Sequence, residues 1–145
     1  MQNYISQFSQ TLLDFGNAHQ MVDAVKFVRS VSELDNMVFD RKTLLIMLQS
    51  ADIDNEAGRP IYEVNYAIAL IDKHPNEGLF GHGPVVEESL FVLSQLQHHL
   101  QQEGWSAVFG EVDIQGDWDE SGELVAVLSE MTAQFGRSVD DIIAF

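Results

Sequence analysis

Apolar positions along the chain change period several times, and the changes mark out the elements. From Tyr4 to Phe15, Ile5, Phe8, Leu12 and Leu13 recur at helical spacing, which predicts an amphipathic helix stopped at Gly16-Asn17. Met21–Val31 mixes apolar and charged residues, and within it Ala24–Arg29 alternates weakly, as an edge strand does. Ser32–Asp35 opens one helical turn, and Asn36 and Asp40 mark a connecting loop. Thr43–Ala51 (TLLIMLQSA) is a nearly continuous apolar run, the pattern of a strand buried on both faces. Asp52–Pro60 is dense in turn formers, and Pro60, which cannot donate to a ladder, belongs at a strand start. In Ile61–Ile71, Tyr62, Val64 and Tyr66 share one face and Glu63 and Asn65 the other, before the run turns wholly apolar.

From Pro84 to Gln102 the period returns to that of a helix, with Val86, Leu90, Leu93 and Leu100 in one stripe widened by Val92 and Leu96. Gly104 ends it. Trp105–Ile114 then alternates, with Trp105, Ala107 and Phe109 opposite Ser106 and Val108, and Gly110 marks an irregularity. Gln115–Glu123 reads as a turn and Leu124–Phe135 as the last strand, with Ser129, Glu130 and Thr132 gathering its polarity toward the end. The segment Ser138–Phe145 has apolar residues in its last four positions and is expected to dock on its own domain or on a neighbour. The sum is one domain, 1–145, of the α+β class: a mixed, mostly antiparallel sheet of about four to five strands with two helices packed on it.

Composition narrows the function classes. With 46% apolar residues, 145 positions suffice for a core without staples, and the absence of cysteine excludes disulfides and thiol chemistry. That absence is compatible with a reducing compartment or a virion. No apolar run reaches the ~18 residues of a membrane span, and MQNYISQF lacks the charged and apolar regions of a signal peptide. Twenty-three acids against seven bases give a net charge of −16. Residues 1–72 hold ten acids and five bases, while 73–145 hold thirteen acids and only Lys73 and Arg137. Such a balance disfavours grip on phosphates. It suits either a solubilising surface or one that stays beside DNA without holding it, such as a pore lining.

Few of the polar clusters have the spacing that chemistry requires. Asp117, Asp119, Ser121 and Gly122 match the first half of a calcium loop, but its twelfth position is Leu128 and a strand follows it. Asp52, Asp54 and Glu56 form a similar cluster with Ala57 where the glycine belongs. The stretch Gly78–Gly83 lies where phosphate loops occur, yet its spacing fits neither the dinucleotide fingerprint nor the P-loop. Glu87 and Glu88 in the following first turn would repel an anion, and Gly83-Pro84 fits a plain helix start. His98 and His99 diverge on a helix, His99 with Glu103 makes only two ligands, and His19, His74 and His82 have no partners in sequence. Ser138 sits in no nucleophile elbow. No catalytic, cofactor or metal residue is assigned, and an enzyme is not expected.

The order of elements resembles the tail-terminator or tail-completion family of tailed bacteriophages, especially the small proteins of phages of Bacteroidetes-like hosts. The resembling pieces are Val31–Met37 (VSELDNM) leading to Thr43–Leu48, the strand ending Ile68-Ala69-Leu70-Ile71-Asp72, the Glu87–Leu100 helix, and Glu111–Met131 with its acidic turn. Together they span about residues 4–135. The resemblance implies a structural virion protein at the tail–neck junction: a homo-hexameric ring that caps the tail tube. Its partners would be its own copies, the tail tube and the neck or head-completion proteins. DNA would pass nearby without specific binding, and no catalytic residue is carried over. This chain departs from the family in its acidity and its apolar C-terminal extension. In such a ring, acidic loops would keep the lumen non-adhesive, and Phe80, Ile142, Ile143 and Phe145 would add subunit contacts. Two rivals stand beside it. One is an acidic adaptor that mimics DNA, which would need acids spread over one face instead of gathered in loops such as Glu111–Glu123. The other is a small hydrolase holding a metal on Asp52, Asp54, Asp117 and Asp119.

Overall fold

A computed structural model describes residues 3–54, 61–73, 83–116, 118 and 124–136. The order is α1 (Tyr4–Ala18), β1 (Ala24–Val28), a 3₁₀ turn (Val31–Asn36), β2 (Thr43–Asp54), β3 (Ile61–Lys73), α2 (Gly83–Gln102), β4 (Ser106–Gln115) and β5 (Leu124–Gly136). The five strands form one sheet in the order β1-β2-β3-β5-β4. Only β1 and β2 run parallel; β2–β3, β3–β5 and β5–β4 are antiparallel. The class is therefore α+β, as the periodicities imply.

Both helices cover one face of the sheet. Even positions of β3 (Val64, Tyr66, Ile68, Leu70) and odd positions of β5 (Val127, Met131, Ala133, Phe135) point to that face and are buried with Phe8 and Leu12 of α1 and Leu93, Leu96 and Leu100 of α2. Phe8 is the hub of this core, with ring centroids 5.4 Å from Tyr66, 5.3 Å from Trp105 and 5.4 Å from Phe135 in tilted and edge-on arrangements that suit the ring quadrupoles. Among the described residues the opposite face is only half covered. There Leu45, Ala69, Ile71 and Ala126 meet Val28, Phe39, Leu34 and Trp118 in a second, smaller cluster. The rest of that face is largely polar, with the exposed Val108 among the exceptions, and Asn65 links Ser50 and Thr132 across three strands at 3.0 and 2.8 Å. This two-sided burial explains why the middle of the chain reads as continuously apolar.

The ends of α2 and α1 illustrate local chemistry. Gly104 takes a φ of 85°, and the Gly104 and Trp105 N–H groups donate to the Gln101 and Leu100 carbonyls, which closes α2 with a left-handed cap. At the start of α1, Asn3 accepts from the Ser6 N–H at 3.0 Å.

Several boundaries differ from the sequence reading. Gly16 does not stop α1; it is buried inside a helix that runs to Ala18. The reason is steric, because any Cβ at Gly16 would collide with Val25 on β1. Asp52 belongs to β2 and not to a loop, because pairing resumes beyond a bulge between Leu48 and Ser50 and continues to Asp54. That bulged end carries no helix, so Leu48 and Ala51 are exposed and the run Thr43–Ala51 is buried only at its start. On α2 the buried stripe is Val85, Ser89, Val92, Leu93, Leu96 and Leu100, while Leu90 is exposed and Val86 half-buried. Ser129 is buried on the helix face and donates to the Gly110 carbonyl at the β4 bulge, so the polar end of β5 begins later. The expectations for 55–60, 74–82, 119–123 and 137–145, including docking of the apolar extension, lie outside the described residues.

Candidate functional site

Of the residues considered for metal or catalysis, those that are described do not gather. Among the described residues no group of three or more His, Asp or Glu side chains is placed to hold a metal ion. Asp52 is exposed on β2, and Leu128 packs in the second cluster. The Asp54 carboxylate, Glu56, Ala57, Asp117, Asp119, Ser121, Gly122, His74, His82, Phe80, Ser138, Ile142, Ile143 and Phe145 lie outside the described set. His19 and His99 flank Phe15, with ring centroids 5.3 and 5.7 Å from it, and His19 Nε2 meets the side-chain oxygen of Gln95. These contacts join α1 to α2 and need no metal.

A buried cation, which the sequence reading passed over, sits where three elements meet. Lys42 is 4% exposed, and its Nζ lies 2.8 Å from Glu88 on α2 and 3.7 Å from Asp72 on β3. Its backbone N–H donates to the Asp23 carboxylate at 3.2 Å. Two carboxylates offset the desolvation of one ammonium, so this group ties the start of β2 to α2. It reads as a clamp that holds three elements together. A cavity of about 860 Å³ does open at that end of the molecule, on the opposite face, where Val31, Leu34, Met37, Phe39, Lys73 and Trp118 line it. Its walls are polar and apolar in about equal measure, and among the described residues the lining has charge from Lys73, Asp35 and Asp40 but no serine, threonine or histidine to serve as a nucleophile or general base.

The feature that stands out is the pair of sheet edges. Among the described residues β1 and β4 each have a neighbour on one side only, and they lie at opposite ends of the strand order. On β1 the Ala24 N–H donates inward to Lys42, so alternation turns the backbone groups of Val25 and Phe27 outward. Arg29, next in that phase, has its N–H taken by the Glu33 carboxylate at 3.0 Å. On β4 the Phe109 N–H is taken by the Gln97 side chain at 3.0 Å, which fixes Phe109 as an outward residue. Its partner Met131 and the Ser129 opposite Val112 are two positions apart on β5. The phase therefore survives the bulge, and Val112 and Ile114 also turn outward. Side-chain caps thus occupy Arg29 on one edge and Phe109 on the other. Val25 and Phe27 on one edge, and Val112 and Ile114 on the other, are the stretches between cap and strand end.

Apolar side chains accompany these stretches. Phe27 is 42% exposed and Ile114 52%, values high for large apolar groups in strands. Charges differ between the edges: Lys26 and Arg29 belong to β1 and the residue after it, Glu111 and Asp113 to β4. The sequence signal was present in the weak alternation of Ala24–Arg29 and in Val112 and Ile114 flanking Asp113, but only the sheet order shows these to be its two rims. No helix among the described residues is long and apolar enough to cross a membrane. Compared with known proteins, the chain matches no family model and no characterised sequence.

Proposed function

We propose that this chain is a non-enzymatic structural subunit that closes into a ring, most specifically the ring capping the tail tube at the tail–neck junction of a tailed phage. The observation that carries this reading is the pair of unlike edges on opposite sides of one sheet, each unpaired among the described residues. A two-fold dimer uses one patch twice, whereas a ring needs two different patches that meet head to tail and close. The half-covered face adds support. It carries Asp52, Glu63 and Glu130 across its less covered half, with Asp113 at the rim beside the second cluster, a surface that would repel phosphates if it lined a passage.

The same placement of acids bears on the rivals. Asp52, Glu63, Asp113 and Glu130 stand on strands and not only in loops, so charge alone does not separate a pore lining from an adaptor; the edges favour assembly. Capping of purified tail tubes is the direct assay. Added protein is expected to appear by negative-stain microscopy as a ring on one tube end. Tubes left bare at protein concentrations well above those used for the tube would overturn the reading.

A further inference from the structure

Resting on the ring reading, we infer that the joint between subunits is a strand-to-strand pairing: the end of β4, Val112–Gln115, adds to β1 of a second copy, with Lys26 opposite Asp113. The polarity, phase, face and charge of the two edges agree on this one register.

Polarity comes first. β1 runs parallel to β2; β3 is antiparallel to β2, β5 to β3, and β4 to β5. β4 therefore runs opposite to β1, and copies related by rotation about an axis along the strands meet as an antiparallel pair. Phase comes next. The outward backbone groups are those of Val25 and Phe27 on one edge and Val112 and Ile114 on the other. Antiparallel pairing of Val25 with Ile114 and Phe27 with Val112 satisfies both sets as two hydrogen-bonded pairs. The face follows without adjustment. In their own sheet Val25 pairs beside Leu44, and Ile114 beside Val127, both on the helix face. A continuous sheet thus puts Val25, Phe27, Val112 and Ile114 together on that face and shields the exposed Phe27 and Ile114.

Charge selects the occupant. Between the two hydrogen-bonded pairs lies the close, non-hydrogen-bonded pair Lys26–Asp113 on the other face. Pairing β4 with a second β4 around that centre would set acids against acids, and pairing β1 with β1 would set Lys26 near Lys26. Only the heterologous joint is attractive. The Gln97 and Glu33 caps bound the joint, since each occupies the outward N–H where the paired segment stops. Within the monomer Lys26 Nζ rests 5.9 Å from the Phe39 ring, a contact that a strand added at the edge leaves in place.

The chain has no cysteine, so a disulfide tests the register directly. Lys26 and Asp113 of one molecule are separated by the width of the sheet, about 19 Å at ~4.8 Å per strand step, far beyond disulfide reach. A Lys26→Cys/Asp113→Cys protein can therefore cross-link only between copies. After mild oxidation it is expected to give a ladder on a non-reducing gel, ending at the mass that native mass spectrometry finds for the assembly. Lys26→Cys/Ser106→Cys, which moves the second thiol to the far side of the bulge, is expected to give none. On the exposed Asp113 alone, Asp113→Lys is expected to raise the concentration for half-assembly roughly tenfold, from attraction turned to repulsion across a strand pair. Lys26→Asp/Asp113→Lys is expected to restore it. An assembly of ring mass that forms no ladder, or that Asp113→Lys leaves unchanged, overturns this joint and leaves the ring standing. Cross-linking that stops at dimers overturns the head-to-tail arrangement. A chain that stays monomeric with and without tail tubes overturns both joint and ring.

Discussion

Gly16→Ala probes how the first helix is set against the rim strand that the assembly would use. Gly16 is fully enclosed between α1, β1 and β2. An added Cβ would fall well inside the van der Waals envelope of Val25 Cγ2 and 3.1 Å from Leu44 Cδ2. Leu44 Cδ2 is the end of a flexible side chain and can shift. Val25 is β-branched on a strand and cannot rotate away cheaply. Overpacking of this kind costs about 1–3 kcal/mol. Against it stands the better helix propensity of alanine, up to ~1 kcal/mol in a helix interior and less here, because Gly16 lies in the last turn. The net is a loss of about 1–2 kcal/mol, a fall in melting temperature of roughly 3–6 °C for a domain of this size. Val25→Ala alone is expected to destabilise by ~1 kcal/mol through lost packing. The double variant should be more stable than the sum of the two, with a coupling of about 1 kcal/mol or more. Urea melts of the four proteins read this directly. A Gly16→Ala protein that melts higher than wild type, or a cycle that adds without coupling, would refute the contact.

Four further outcomes test the core. Glu88→Gln leaves the buried Lys42 ammonium with only Asp72 at 3.7 Å, and is expected to cost about 1–2 kcal/mol, the lower part of the usual range because Glu88 is 42% exposed. Lys42→Met, which removes the buried charge itself, should be milder than Glu88→Gln combined with Asp72→Asn in denaturant melts. Ser89 Oγ, buried on α2 with no hydrogen-bond partner among the described residues, makes Ser89→Ala stabilising by about 1 kcal/mol, seen as a higher urea midpoint. Burial raises the Tyr66 phenol above its ordinary 10.0, and the Ser9 hydroxyl only partly counters this. The unfolded chain therefore loses that proton first as pH rises, so the contribution is intact below about pH 10 and is lost through the raised value. Tyr66→Phe should unfold less steeply with pH above 10 than wild type does, by circular dichroism.

Much of the architecture was legible because burial imposes period. Phe8 and Leu12 at helical spacing, the alternation Tyr62-Val64-Tyr66, and the irregularity at Gly110 all correspond to what the sheet and its helix layer require. Where the reading failed, a long-range contact outweighed a local rule. Gly16 looks like a helix stop in isolation and is instead a point of close approach to Val25, a neighbour that only the tertiary fold supplies. Asp52 looks like loop chemistry until β3 extends its ladder past the bulge. Leu90 fits a helical stripe, yet the face that docks is centred one position away, on Ser89 and Val92. Strand order is not encoded in local pattern, so Ala24–Arg29 is readable as an edge, whereas its relation to Asp113 across five strands is not. Lys42, flanked by Arg41 and Thr43, resembles an ordinary surface lysine, and its burial follows from Glu88 and Asp72, both distant in sequence.

The central claim is that the chain assembles head to tail and closes. Native mass spectrometry of the purified protein over a concentration series, alone and with tail tubes, tests it most directly. A single closed stoichiometry above two, with no odd-sized ladder accumulating at high concentration, is the expected result. A monomer under every condition, or a dimer that never grows, would contradict it.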